Sequence, residues 1–283
     1  MSTSIESFLK DFHKKHPGCT PAAFSNGFTI DGLTSYDMAT SLLPANSKVA
    51  ETVLDLACGD GVLLQKISQF KNESLTLIGV DMSVGELDAA RKRLGPSSTI
   101  KLFEVRAQSL PVPDCSVDHV LCHMAFMLMD EIEQVVSEIH RVLKPGGTFS
   151  AVVGGNYVKT PVMDAFLHLL DEALKEESKS WLSSLGDKRT RSEDGLRSLF
   201  EGGRFVQPIT VQDFSIYFDE QPTDLMDFFM LMYEVGLLSP SRQIRLANDL
   251  LGKLESMTNA GGKINHSMGM RQIVCSKAGA IHG

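Results

Sequence analysis

The sequence predicts an α/β fold, a mostly parallel sheet with helices wound on both faces, and three observations predict it. Segments rich in Val, Ile, Leu and Phe recur between residues 51 and 155. Several are apolar on both faces, as strands buried inside a parallel sheet must be. Helix signals fill the gaps between them, and this alternation requires right-handed crossovers that place helices on both sides.

The strand segments are ETVLDLAC (51–58), LTLIGVD (75–81), IKLFEVRA (100–107), DHVLCHM (118–124) and TFSAVVGG (148–155). Between them, Ser83 followed three residues later by Glu86 predicts a capping box, after which Leu87, Ala90 and Leu94 keep one apolar face. Asp130 and Glu133 predict a second helix start of the same kind. Its stripe is Ile132, Val135, Val136, Ile139, Val142 and Leu143, and Pro145, Gly146 and Gly147 stop it before the next strand.

Past residue 155, Thr160 and Pro161 open a helix carrying Met163, Phe166, Leu167, Leu170 and Leu174, followed by the polar stretch EESKSWLSSLGDKRTRSEDG (176–195). PITVQDFSIYF (208–218) and MGMRQIVCSKA (268–278) are expected to close the sheet, with a helical segment containing DLMDFFMLMYEVGLL (224–238) between them. The expected organisation is one domain, 1–283: a helical cap at 1–49, a core at 50–155, the two closing strands, and variable helical segments at 156–207 and 219–267.

A chain of 283 residues that is 43% apolar has material for one large core. Lys and Arg number 27 against 35 Asp and Glu, a net charge of −8 with no long basic run, which argues against nucleic acid as a partner. The five cysteines at 19, 58, 115, 122 and 275 have no regular ligand spacing. They read as free thiols of a reducing cytoplasm, and no metal is expected. Residues 1–16 lack the apolar run of a signal peptide, and no stretch of about 18 apolar residues predicts a membrane segment.

The chemistry concentrates in VLDLACGDG (53–61), a strand running into a glycine turn ahead of the helix VLLQKI. Gly59 and Gly61 let the backbone approach a ligand, and Asp55 at the strand end can attract an ammonium group. A dinucleotide site would want a third glycine for close helix packing, and Leu64 stands there. Asp81 ends the next strand, 20 residues after Gly61, where a carboxylate accepts hydrogen bonds from both ribose hydroxyls of an adenosine; the alternative is a helix-capping acid.

VLDLACGDG, IGVD, AQSLPVPDCSVDHV and RVLKPGG, in this order and spacing across residues 50–155, resemble the class I S-adenosylmethionine-dependent methyltransferases, especially the methyltransferase type 11 group that includes ubiquinone and menaquinone biosynthesis enzymes. The resemblance implies a Rossmann-like, doubly wound sheet of seven strands, mostly parallel with the last antiparallel. It also implies S-adenosylmethionine as cofactor, S-adenosylhomocysteine as product and a small-molecule acceptor. By position, Asp55, Ala57, Cys58, Gly59 and Gly61 would surround the methionine half. Asp81 would hold the ribose, with Met82 on the adenine and Arg106, Ala107 and Gln108 at the adenine edge. Two departures stand out. Ala57 replaces the family's first glycine, a change that is tolerated if the residue keeps a negative φ. Arg106 replaces the usual Asp and removes an acceptor for the adenine amino group, leaving Gln108 or a backbone carbonyl to supply one.

His123, in VLCHMAF, falls at the family position near the transferable methyl; it is either a catalytic or acceptor-orienting group, since imidazole titrates near neutral pH, or a core histidine. Asn156, Tyr157, Phe229, Tyr233 and His266 are further substrate-pocket candidates, although the Met and Phe stripe holding Phe229 and Tyr233 reads more readily as core packing. His13, His16 and His282 lie near the termini and are expected to be solvated; His140 sits on a helix whose other face is core. The direction of the strands predicts that 156–192, 219–267 and FSNGFTIDGLTSY (24–36) gather at the cofactor edge as a lid, lined by Phe166, Leu170, Phe229, Met230 and Tyr233. Two other readings stay open: a nicotinamide oxidoreductase, opposed by Leu64 and RVLKPGG, and a non-catalytic S-adenosylmethionine-binding protein. No motif separates monomer from homodimer, or an oxygen, nitrogen or carbon acceptor.

Overall fold

The computed structural model describes residues 4–44, 49–70, 74–96, 98–175, 186–202 and 204–279; His282 and residues 176–185 of the polar stretch lie outside them. The strands of the first half are β1 (Glu51–Leu56), β2 (Leu75–Asp81), β3 (Lys101–Glu104), β4 (Val117–His123) and β5 (Leu143–Gly154). Helices α1 (Ser4–Lys15), α2 (Cys19–Phe24) and α3 (Ser35–Thr40) precede them, and α4 (Val62–Ser68), α5 (Val84–Leu94) and α6 (Ile132–Val142) connect them. After β5 come α7 (Pro161–Leu174), α8 (Glu193–Phe200), β6 (Phe205–Glu220), α9 (Pro222–Met230), α10 (Pro240–Glu255) and β7 (Ile264–Lys277).

One seven-stranded sheet has the order β3-β2-β1-β4-β5-β7-β6. The neighbours from β3 to β5 are parallel, and β7 is antiparallel to both β5 and β6. The chain winds outward from β1 to β3 and then returns to β4, so a crevice opens past the carboxyl ends of β1 and β4.

Alternation along β1 feeds both faces of the sheet. Leu54 and Leu56 join Val120, Phe149 and Phe200 in one core, whereas Val53 joins Leu64, Ile67, Leu121 and Val152 in the other. A third cluster is purely helical in its main parts: Phe166 and Leu170 of α7, Leu225 and Phe229 of α9, and Leu246 and Leu250 of α10. Each fully buried Leu or Phe contributes roughly 1.5–3 kcal/mol relative to exposure. Among the described residues, no helix is long and apolar enough to cross a membrane.

Three local expectations are corrected. The α6 start has no capping box: its N-cap is Glu131, at φ 50 with no side-chain cap, and Glu133 is ion-paired with Arg189 instead. At α5 only half the box forms. Ser83 accepts from the Glu86 amide at 3.4 Å, but the Ser83 amide goes to Asp81 Oδ1 at 2.8 Å, which sends the Glu86 carboxylate elsewhere. Pro145, Gly146 and Gly147 lie inside β5 rather than before it, as a bulge between the pairs Val117–Leu143 and His119–Thr148.

Candidate active site

The glycine turn leaves β1 in a tight left-handed path, with Ala57 at φ 59, Gly59 at φ 52 and Gly61 at φ 82. The condition set for Ala57, a negative φ, is therefore not met, and an L-residue there costs roughly 1–2 kcal/mol. Backbone bonds hold the path: the Cys58 amide donates to Val80 O at 2.9 Å and the Gly59 amide to Asp81 Oδ2 at 2.9 Å. Gly61 serves packing, because a Cβ there would lie 3.2 Å from the Ala90 Cβ.

A cavity opens over this turn. It is lined by Asp55, Ala57, Cys58, Gly59, Asp81, Met82, Arg106, Ala107, Gln108 and His123, so ten of the proposed cofactor and catalytic positions converge; Gly61 lies beneath the surface they form. Of the substrate-pocket candidates only Tyr233 joins them. Asn156 is hydrogen-bonded to Asp213 and Arg271, and Tyr157 is exposed, its hydroxyl donating to Asp164. Phe229 stacks on Phe166 at 4.4 Å inside the helical layer, and His266 of β7 stacks on Phe218, its partner on β6. The opposite wall of the cavity comes from the amino-terminal segment: Glu6, Leu9, His13, Thr20, Pro21 and Tyr36.

Burial sets the electrostatics. Asp55 is 1% exposed, and desolvation, reinforced by the charges of Asp81 and Asp60, pushes its carboxyl well above the usual range. Its Oδ2 is buried with no hydrogen-bond partner. Desolvation also raises Asp81, partly offset by the amides of Ser83 and Gly59.

His123 is equally enclosed. Nε2 lies 2.9 Å from Ser35 Oγ, the ring stacks on Tyr36 at 3.9 Å, and Nδ1 is buried without a partner. Desolvation lowers its pKa to about 3, so the ring is neutral at physiological pH and too weak a base to draw a proton efficiently.

Expecting His13 to be solvated also proves wrong. Its Nδ1 lies 2.8 Å from Glu86 Oε1 and 3.6 Å from Cys19 Sγ, and its Nε2 lies 3.1 Å from the Tyr233 hydroxyl. The Gly18 amide donates to Glu86 Oε2 at 3.0 Å, which brings the redirected carboxylate to the start of α2. His13, Cys19 and Glu86 are the one group among the described residues whose ligand-type atoms lie within 4.8 Å of one another, a grouping no spacing announces. Arg106 turns away from the adenine edge to pair with Glu6 and Glu131, and the Gln108 amide donates to Asp130 O at 2.7 Å.

S-adenosylmethionine suits this donor set. The partnerless oxygen of Asp55 matches an ammonium group, and Asp81 keeps lone pairs for vicinal hydroxyls beside the amides it already accepts. A nicotinamide dinucleotide is a poorer match, because Leu64 is fully buried where a third glycine would let α4 approach the strand.

Comparison with known proteins agrees with the geometry. Residues 54–151 match the family model described as "Methyltransferase domain". The demethylmenaquinone methyltransferase of Symbiobacterium thermophilum is 32% identical over a 173-residue alignment that covers 55% of this chain and 68% of that one. The ubiquinone/menaquinone biosynthesis C-methyltransferase of Citrobacter koseri is 30% identical over 119 residues, covering 41% of this chain and only 47% of the relative. Among solved structures, phosphoethanolamine N-methyltransferase 2 of Haemonchus contortus, in complex with phosphomonomethylethanolamine and S-adenosylhomocysteine, superposes with a TM-score of 0.59 at 15% identity, over 98% of this chain and 61% of the other, and supports the fold. Fold, motif positions and family match converge: the chain belongs to the class I S-adenosylmethionine-dependent methyltransferases, in the group that includes the demethylmenaquinone and ubiquinone/menaquinone enzymes.

Proposed function

We propose that this methyltransferase acts on a small, largely apolar acceptor with a ring of the quinol kind, seated between the amino-terminal helices and the end of β4. The observation that carries this reading is the continuity of one cavity. Its floor is the cofactor turn, and beyond that turn Tyr36, His123, Met124, Ala125, Leu128 and Met129 are among its lining residues. Apolar walls with a few convergent polar groups suit such a molecule. The names of the two quinone-pathway relatives favour the same acceptor class.

Bound S-adenosylmethionine supplies an electrophilic methyl group on a sulfonium. The protein's part is to hold the two reactants in line and keep water out, which can contribute on the order of 7–11 kcal/mol. Asp55, Ala57, Cys58 and Gly59 take the methionine half, with Gly61 shaping their turn. Asp81 takes the ribose, and Met82, Arg106, Ala107 and Gln108 flank the adenine. His123 orients the acceptor through Nδ1 while Ser35 occupies Nε2. The acidic chain favours a small acceptor over nucleic acid.

Incubating the purified protein with methyl-labelled S-adenosylmethionine and a cell extract tests the reading. Mass spectrometry should find the label on a small aromatic product; label confined to nucleic acid or protein would refute it.

A further inference from the structure

At the cavity wall beside the glycine turn, where a Cβ on Gly59 would lie 3.9 Å from Glu86 Oε2, three polar side chains from distant parts of the chain form a line: Glu86 of α5, His13 of α1 and Tyr233, just past α9. No motif reading assigns the first two to the site. We propose that this line holds the Tyr233 hydroxyl as a hydrogen-bond donor to an acceptor oxygen that is negatively charged during methyl transfer, which narrows the acceptor to phenols, enols and their relatives. The inference rests on reading the cavity as the site of methylation of a small acceptor. Tyr233 would touch the substrate; His13 and Glu86 are positioning residues.

The direction of each hydrogen bond follows from the atoms. Glu86 is 3% exposed, and both its oxygens are engaged, Oε2 by the Gly18 amide and Oε1 by His13 Nδ1. A carboxylate only accepts, so Nδ1 carries a proton. Burial by itself would discharge His13, but contacts with Cys19 and Glu86 more than reverse this and raise it to about 12. The imidazolium then also carries a proton on Nε2 and donates it to the Tyr233 oxygen. The phenol's own proton is left for the cavity, on a hydroxyl polarised by a neighbouring cation.

This arrangement stabilises negative charge rather than removing a proton. The acceptor hydroxyl loses its proton to solvent, and the oxyanion is held by Tyr233. An electron pair of that anion, on the oxygen or on a conjugated ring carbon, forms the bond to the methyl carbon while the carbon–sulfur bond breaks and its pair stays on sulfur. A conjugated carbon then loses its hydrogen as a proton to solvent. His123 cannot replace the line, since its ring is neutral and its Nε2 is taken by Ser35.

The test is a spectrophotometric titration of 4-nitrocatechol, whose ionised form is coloured, with the protein loaded with S-adenosylhomocysteine. The titratable groups facing Tyr233 are His13, Cys19 and Glu86. Binding should lower the probe's apparent pKa by about one unit. Tyr233→Phe, which keeps the ring, should abolish the shift, and His13→Gln and Glu86→Gln should each weaken it while the melting temperature reports that the variants are folded. The proposal is overturned if the probe does not bind, if Tyr233→Phe titrates like the wild type, or if the shift survives in both positioning variants. It is also overturned if a chelator abolishes the shift, zinc restores it and Cys19→Ser loses it, because His13, Cys19 and Glu86 would then be metal ligands. Failure of the broader reading would look different: the extract assay would label macromolecules alone, whatever the probe does.

Discussion

The two walls of the cavity are built in opposite ways. The wall from 50–155 is local: Asp55, Asp81 and His123 stand at the carboxyl ends of β1, β2 and β4, which are neighbours in the sheet, and the spacing of strand, turn and helix puts them at one edge. The amino-terminal wall is assembled over long distances, by Glu6 with Arg106, His13 with Glu86 and Ser35 with His123. A third region, the α7, α9 and α10 layer, packs on Phe24 of the amino-terminal segment yet gives the cavity only Tyr233 from the stretch after α9. Local order carries the motif positions common to the family, whereas long-range packing builds the wall against which the proposed acceptor would sit.

The largest expected effect separates the helical layer from the cofactor wall. Phe229 is fully buried and stacked on Phe166, so Phe229→Ala should destabilise the protein by about 3–5 kcal/mol. Cofactor affinity of the folded fraction should change little. Chemical denaturation and calorimetric titration with S-adenosylhomocysteine measure the two quantities, and equal losses in both would erase the distinction between the regions.

Asp81→Ala should do the reverse. It removes the charged acceptor proposed for two ribose hydroxyls and also leaves the Gly59 and Ser83 amides without their partner. Cofactor binding should weaken by about 1.5–3 kcal/mol, more than for any other single carboxylate change at the site. Unaltered affinity in a folded variant would remove the ribose assignment.

The contrast also explains what was legible in the sequence. The strand segments, the glycine turn and Asp81 follow from periodicity and short spacings, which a linear chain displays directly. Glu86 was misread for a physical reason: at three residues past Ser83 it fits a capping box, but Asp81 takes the Ser83 amide first and frees the carboxylate for α2. His13 looked solvated because only its distance from the terminus was visible, not the packing of α1 on α5. A detectable signal existed at Thr34, where Asp37 three residues later completes a true capping box that orients Ser35 and Tyr36.

A pH experiment probes the junction between the two walls. The folded-state pKa of His123 is about 3 against an ordinary value of 6.5, so the unfolded chain binds the extra proton between those values. The stability associated with keeping this ring neutral is complete above pH 6.5 and is lost as pH falls toward 3, with a slope of about 1.4 kcal/mol per unit from this group. His123→Gln should flatten the stability profile in that window relative to wild type. His266, lowered to about 4 by burial, has the same sign and stays in both proteins, so the difference between the two profiles isolates His123. Identical profiles would mean that His123 is accessible to protons in the folded state.

The smallest expected effect lies within the local wall itself. Ala57 adopts φ 59, a conformation that costs an L-residue roughly 1–2 kcal/mol and a glycine almost nothing. Ala57→Gly relieves that strain but gives the unfolded chain more freedom, a penalty of roughly 0.5–1 kcal/mol. The net change should be a stabilisation of about 0.5 kcal/mol, the difference between these two terms. Ala57→Val should destabilise, because a β-branched side chain fits a left-handed turn still less well. Denaturant midpoints of the three proteins provide the ranking Gly, Ala, Val, and cofactor affinity for the glycine variant should match the wild type, since the Cys58 and Gly59 amides that shape the turn remain in place. If the glycine variant is instead the least stable, the chain does not pass through the left-handed region at 57, and the geometry assigned to the whole cofactor turn would have to be redrawn.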